Sequence, residues 1–494
     1  MNINKYLKLT VVCLFTLIAY SACDNDFEEI NENPNGPVTV PPGLLITGIQ
    51  EATADELYNT FLGGDMGETW VQHWGKVQYN EEERYNIRPG VNDTFWDRLY
   101  ARSLKDAQVM YDLAKEADNK NIQGVALVMR SYVYSILTDA YGAIPYTEAL
   151  QAEEGNSSPA YDKQDVIYPA LIDSLEVAAA LLAPGNGEIP AAQDLMYGGD
   201  PVLWEKFANS LRVRLLMRIS YATDVSAELQ SVVSGGNLFS SNADEAKLVF
   251  RETNPNANPV WNTVVFTNRL EWKVNQTLVQ KLQELSDPRL PVYAQPNEDD
   301  EYRGVAPGID NPVESGFGYA NVSPIGEFFL QPDAPGYFLS YSELNFLLAE
   351  AAKRGLITGG DALAEEYYNE GITASFETYN GFVPEEGDPV SLDAEAYLSQ
   401  SGVAYSAATA LQQIGVQNWI ALFGQGFEAW TEWRRTGFPA LSPALDPIGI
   451  ETIPTRYPYP TNEQTLNNAN YSEAVSNLEG GDNLTSEVWW DKKD

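Results

Sequence analysis

Apolar residues recur three and four positions apart through most of the chain, the spacing that lines one face of an α-helix. The stretch IQGVALVMRSYVYSILTDAYG (122–142) sets Val125, Val128, Met129, Val133, Ile136 and Leu137 on that rhythm. It stops at a glycine with Pro145 close behind, a helix-ending signal. Upstream, DTFWDRLYARSLKDAQVMYDLAKEA (93–117) repeats the pattern from Asp93, an expected N-cap. Two amphipathic helices with a short joint predict an antiparallel hairpin. The pairing recurs at 165–183 with 201–222 and at 340–355 with 362–379.

Small residues alternate with large ones in the last pair, as in Ala364, Tyr368, Gly371 and Ala374, which lets helices approach closely. The expected class is mainly α: tetratricopeptide-like helical hairpins packed against a loop-rich irregular region with short strands. The segments 251–335 and 380–400, and the tail after 437, are rich in Asn, Pro, Gly and aromatics. Loops held by a rigid scaffold are where binding residues concentrate. No alternation of strands and helices points to a parallel sheet, and any strands are expected as short hairpins.

The first residues break the pattern. Lys5 and Lys8 precede an apolar run to Ala22, too short to span a bilayer comfortably, and Cys23 follows the small pair Ser21–Ala22. This predicts a lipoprotein signal peptide over 1–22 with lipidation at Cys23, although Tyr20 stands where leucine is usual. An acidic, Asn- and Pro-rich tether over 23–45 and a single ligand-binding domain over 46–494 are expected to follow. Of the two cysteines, Cys13 lies in the leader, so the body has no thiol for a disulfide, a zinc cluster or a nucleophile.

Charge narrows the partners. The formal net charge of −40 repels phosphate backbones and argues against nucleic acid. A serine triad needs a histidine base; the only histidine is His73, and no GxSxG motif accompanies it. A glycosidase needs only two carboxylates roughly 5 to 10 Å apart. With 70 acidic residues, such a pair carries no information in sequence. No cofactor is expected. Any metal would require an oxygen-rich Ca²⁺ site, for which no EF-hand spacing exists.

Aromatic content brings in the remaining chemistry, with 11 Trp and 28 Tyr. An indole face stacks on the apolar face of a pyranose, while Asn, Asp, Gln or Arg at the rim meet its hydroxyls. The stretch TWVQHWGKVQYN (69–80) sets Trp70 and Trp74 four apart, on one face if helical. Asp65, Glu68, Gln72 and His73 surround them, with Asn92, Asp93, Tyr79 and Tyr85 as further rim residues. NRLEWKVNQT (268–277) offers Trp272 among Arg269, Glu271 and Lys273. Trp74 and Trp272, with Trp70 in support, are the expected platform; packing in the core is the alternative for each. Trp204, Trp419, Trp430 and Trp433 are expected in the scaffold, and Arg434 and Arg435 are expected to pair with acids or cap carbonyls.

Several long stretches carry a resemblance. LTDAYGAIPYTEAL (137–150), PAYDKQDVIYPALIDSL (159–175) and YGGDPVLWEKFANSLRVRLLMRIS (197–220) resemble the N-terminal half of SusD/RagB-type lipoproteins. YSELNFLLAEAAKRG (341–355), VQNWIALFGQGFEAWTEWRRTGFPAL (416–441) and IPTRYPYPTNEQTLNN (453–468) resemble the C-terminal half, in the branch called SusD-like 2. The resemblance implies four tetratricopeptide-like hairpins and a surface-exposed outer-membrane lipoprotein of the Bacteroidetes type. It also implies a TonB-dependent, SusC-like transporter as partner, an oligosaccharide ligand, and no catalysis. Aromatics from the early region and the middle insertion commonly form the platform in that family, without a fixed motif. Peptide capture on the same scaffold, a helical glycoside hydrolase and a purely structural lid are the alternatives.

Overall fold

The computed structural model describes residues 40–491, so the leader, Cys23 and most of the expected tether lie outside the described residues. From Pro42 onward the chain gathers into one compact unit. Its scaffold is eight helices in four antiparallel hairpins. These are α3 (Lys105–Glu116) with α4 (Lys120–Tyr141), α5 (Gln164–Leu181) with α6 (Pro201–Ile219), α9 (Tyr341–Lys353) with α10 (Gly360–Tyr379), and α11 (Ala410–Ala421) with α12 (Gly426–Thr436). Helix α4 begins where Asn119 accepts from the Ile122 N–H and ends at Gly142 with φ +81°, a conformation that glycine adopts freely. From Val125 on, nearly all its side chains are buried, each large aliphatic one contributing about 1.5–3 kcal/mol. In α10, Gly371 lies against the Phe346 ring of α9, so the small-and-large ladder read in the sequence is a helix contact.

The inward faces of these helices are ionic as well as apolar. Arg214 of α6 holds Glu343 of α9 through two bonds of 2.6 Å. Arg218 of α6 reaches Glu432 of α12 at 2.5 Å, Glu428, and Asp139 of α4 at 3.4 Å. Arg435 binds Glu350 of α9 at 2.6 Å and Glu432 at 2.7 Å, while Arg434 donates to the carbonyls of Asp139 and Thr455. Both arginines thus take the roles expected of them. Trp204, Trp419 and Trp430 are buried in this scaffold and Trp433 packs partly buried against it.

Three elements depart from expectation. The 93–117 helix is broken: α2 (Pro89–Arg98) passes through a π-helical stretch, Leu99–Leu104, into α3. Asp93 is therefore not an N-cap; Pro89 occupies the first turn, and Asp93 accepts from the Thr461 N–H at 2.9 Å. The strands are short but mostly not hairpins. β1 (Trp74–Lys76) pairs antiparallel with β5 (Trp272–Val274), and β4 (Ala246–Val249) with β6 (Pro335–Leu339). Only β2 (Ile144–Pro145) and β3 (Tyr161–Asp162) pair at shorter range. The chain reaches β1 from α1 (Leu45–Tyr58) through a glycine-rich π-helical stretch, Thr60–Glu68, which lies on the start of α12.

Candidate functional site

The stretch TWVQHWGKVQYN is not a helix. The π-helical stretch ends at Glu68, the backbone turns at Gln72 with φ +60°, and β1 begins at Trp74. Trp70 and Trp74 therefore do not share a helical face, and both are buried, as is Trp272 (1 %, 2 % and 1 % exposed). None of the three presents a face to solvent, which corrects the expected tryptophan platform. Trp70 packs edge-on against Trp430 and Tyr457 at 5.5 Å and donates to the Glu82 carbonyl at 2.9 Å. Trp74 lines a narrow cavity of about 40 Å³ with Tyr58, Phe329, Tyr337, Tyr379 and Phe423. That space suits a water or two and excludes a sugar ring.

The expected rim is interior too. Asp65 is fully buried; its carboxylate accepts from the Trp272 indole at 2.7 Å, from Lys76 at 3.0 Å and from Arg88 at 3.0 Å. Burial pushes this carboxyl up to about 6, against the pull of Lys76 and the Trp272 hydrogen bond. Glu68 and His73 form a buried pair at 2.9 Å, with the imidazole packed on Trp419 and Phe423. Asn92 donates to the Pro458 carbonyl and accepts from the Tyr141 hydroxyl, and Tyr85 is buried against Ala444. Each of these side chains is held inside the protein by at least one hydrogen bond. Several of the partners lie far along the chain, as Trp272 does from Asp65 and Pro458 from Asn92, so local pattern did not reveal them.

Outside this layer the structure assembles a different aromatic surface. The β1–β5 ladder continues through the Val77 N–H to the Glu271 carbonyl at 3.0 Å, bringing residues 77–80 beside 268–271. Tyr79 emerges there 59 % exposed, with φ +55°; Asn268 on the facing segment has φ +55° as well. Such conformations are uncommon for non-glycine residues and concentrate at functional sites. The Tyr319 hydroxyl donates to Gln78 at 3.1 Å and the ring is 41 % exposed. Partial burial pushes that hydroxyl up, as do Glu271 and Tyr79, while Arg269 acts in the opposite sense. Phe266, 63 % exposed, packs on Trp261 at 5.5 Å.

Arg269 joins these pieces. Its guanidinium lies 5.1 Å from the Trp272 ring and 5.6 Å from Phe61, and it pairs with Glu271. Arg88 covers the Phe61 ring at 4.8 Å while bound to Asp65 and Glu82. Trp272 is thus the floor beneath Phe61 and Arg269, and the exposed rings of Tyr79, Phe266 and Tyr319 on the adjoining segments complete a shelf with Phe61. Gly64 makes room for it: a Cβ there would meet the Trp74 ring at 3.1 Å and the Trp272 nitrogen at 3.6 Å. The shelf's arginines are each matched by a carboxylate, and Lys273 lies 5.8 Å from the Tyr319 ring, so the surface offers rings, amides and hydroxyls with one lysine beside them. Of its exposed residues, only Tyr79 was weighed from sequence. Phe266 and Tyr319 sit in VVFTNR and GFGYAN, and an aromatic beside Asn or Gly in a long insertion is the signal they carried.

Among the described residues, no group of three or more His, Cys, Asp or Glu side chains is arranged to hold a metal ion. No helix among them is long and apolar enough to cross a membrane.

Comparison with known proteins agrees with this architecture. No protein of curated function matches the sequence. A solved chitin-binding protein superposes with a TM-score of 0.81 at 29 % identity, covering 92 % of this chain and 100 % of the other. A SusD homologue from Bacteroides fragilis gives 0.77 at 25 % identity, with 92 % and 100 % covered. A chitin-binding SusD homologue from Flavobacterium johnsoniae gives 0.76 at 24 % identity, with 92 % and 98 % covered, and shows the shared fold. The family profile SusD-like 2, described as "Starch-binding associating with outer membrane", matches residues 34–460. The chain belongs to this family of outer-membrane nutrient-binding proteins, which bind their ligands and do not transform them.

Proposed function

We propose that this protein captures a neutral oligosaccharide on the shelf of Phe61, Tyr79, Phe266 and Tyr319 and delivers it to a TonB-dependent, SusC-like transporter. The observation that carries the reading is the grouping of exposed rings over a layer in which each arginine is matched by an acid. Rings stack on the apolar faces of sugars, and Gln78, Asn268 and Arg269 are placed to meet hydroxyls. A sulfated or carboxylated chain would meet no unpaired guanidinium there, and it would also approach a chain of net charge −40. The starch-binding description of the family and the chitin-binding name of a relative 29 % identical both favour a neutral glycan. Trp272 acts from below, fixing Phe61 and Arg269; Trp70 and Trp74 support the layer beneath. Lipid on Cys23 and an acidic tether leading into the single body, whose fold begins at Pro42 rather than at residue 46, hold the shelf at the cell surface.

Affinity electrophoresis of the soluble body through gels containing starch, glycol chitin, a β-glucan or an acidic polysaccharide tests the reading. Retardation by a neutral glycan, reduced in Tyr79→Gly and Phe266→Ala, is expected. Retardation by the acidic gel alone, or none in any gel together with binding of peptides, would overturn it. In cells, Cys23→Ala is expected to shift the protein out of the outer-membrane fraction.

A further inference from the structure

The Phe61 ring that borders the shelf also lines a groove of about 360 Å³ between α1, α2 and the turn Pro259–Trp261. That volume lies within the range of small-molecule sites. Val91, Thr94, Arg98 and Asn262 line the groove beside Phe61 and Asn59. Its lips at Gly90, Thr94, Arg98 and Pro255 are exposed.

The groove is built rather than incidental. Asn59 accepts from the N–H groups of Phe61 and Leu62 at 3.0 and 2.7 Å and donates to the Glu56 carbonyl at 2.8 Å, which fixes the Phe61 backbone. Next to Phe61 in the chain, the Thr60 hydroxyl meets the Thr263 hydroxyl at 3.4 Å, and in the groove Asn262 accepts from Asn254 at 3.0 Å. Arg98 spends one N–H on Glu56 at 2.6 Å and remains half exposed. Asp55 and Glu56 face this single arginine, so the groove carries no excess of positive charge. Asn262 opens the π-helical turn Asn262–Phe266 that ends at the exposed ring of the shelf. Shelf and groove therefore share Phe61 on one wall and residues 261–266 on the other.

We infer that shelf and groove form one elongated site, in which a glycan stacked on Tyr79, Phe266 and Tyr319 continues past Phe61 into the groove beside Thr94 and Arg98. The inference rests on the reading of the shelf as a glycan site and adds the length of chain it recognises. Several sugar units, rather than one or two, are then needed to occupy it. Thr94 is an exposed residue of α2, so a bulky replacement there obstructs the groove without entering the core.

Calorimetric titration with graded chito-oligosaccharides and malto-oligosaccharides tests this on the soluble body. Affinity for one series is expected to climb as units are added and then to level once the groove is filled. Thr94→Trp, melting as the wild type does, is expected to remove that gain and cost the longest oligomer about tenfold in Kd. Asn262→Ala is expected to weaken the same long oligomers in the same direction. Affinity independent of length, or a long-oligomer affinity untouched by Thr94→Trp, would overturn the groove while leaving the shelf standing. Absence of binding by either series and by the polysaccharide gels would bring down the shelf reading and the groove with it.

Discussion

Two substitutions separate a ring that supports the shelf from a ring that forms it. Trp272→Phe keeps most of the buried apolar volume and deletes the indole N–H that lies 2.7 Å from the Asp65 carboxylate. That carboxylate keeps Lys76 and Arg88. The loss is therefore one hydrogen bond to a buried charged group, about 2 kcal/mol. Against a typical stability of about 5–15 kcal/mol, the variant still folds. Tyr79→Gly does the reverse. Its ring is 59 % exposed, so little burial is lost, and φ +55° ceases to strain the backbone. Relief of about 1 kcal/mol is offset by the extra freedom of glycine in the unfolded chain, for a net change within about 0.5 kcal/mol. Urea unfolding reads both, as a lowered midpoint at constant slope for Trp272→Phe and none for Tyr79→Gly. Glycan affinity moves the other way, falling about tenfold in Tyr79→Gly, or about 1.4 kcal/mol for one aromatic contact, and far less in Trp272→Phe. A Trp272→Phe protein as stable as the wild type that has lost its ligand would refute the argument.

Further outcomes follow from the interior. Arg218→Met leaves Asp139, Glu428 and Glu432 without their shared cation and is expected to cost about 3–5 kcal/mol in chemical denaturation, partly restored by adding Glu428→Gln. An unchanged midpoint would refute the ionic account of the helix interface. Gly67→Ala places a Cβ 2.6 Å from the Gly426 carbonyl carbon, and Gly426→Ala places one 2.3 Å from the Gly63 oxygen. Each is expected to cost about 1–3 kcal/mol in a thermal melt, whereas Gly48→Ala, which meets nothing, is not. Burial pushes Glu83 up to about 7 and Asp139 up to about 6, against backbone N–H groups at the first and Arg218 at the second. Both folded pKa values exceed their unfolded ones, so this stabilisation is complete below about pH 4 and is lost as pH rises through 6 and 7. Glu432, buried but held down to about 2 by Arg435 and Arg218, weakens the fold only as pH falls from the usual carboxylate range towards 2. The melting temperature is therefore expected to be higher near pH 5 than near pH 8, with a smaller difference in Glu83→Gln; a flat profile would count against the burial argument.

The helical body was legible because each helix carries its own evidence. Val125 to Leu137 reads as α4 in isolation, since period, glycine stop and following proline are all local. In GQGFEAW the missing side chain of Gly426 lets α12 sit against the 63–68 backbone. The candidate site was legible in region but not in residue. The early aromatic stretch and the middle insertion do meet, as β1 and β5, yet which ring faces water depends on pairings that no window contains. Trp70 is buried by Trp430 and Tyr457, and His73 by Trp419. The turn at Gln72 has no glycine or proline to mark it, so a helix with Trp70 and Trp74 side by side was the natural expectation. Tyr79 carries no local mark of its exposure, because a tyrosine near two tryptophans reads equally well as core.

The seam between Gly67 and Gly426 also sets a condition on how this chain reaches its native state. The Trp419 indole donates to the Val71 carbonyl across 348 positions of sequence, and the Tyr457 hydroxyl donates to the Met66 carbonyl across 391. The layer beneath the shelf is therefore closed by residues made last, while the hairpins of α3 with α4 and α5 with α6 depend largely on near neighbours. Loop closure over such distances comes late, after local contacts have formed. A chain crossing a membrane N-terminus first would carry formed hairpins and an open aromatic face until its last quarter emerged. During that interval Trp70 would lack Trp430 and Tyr457, and Trp74 would lack Phe423, so part of the aromatic layer would stay open to solvent until α12 emerged.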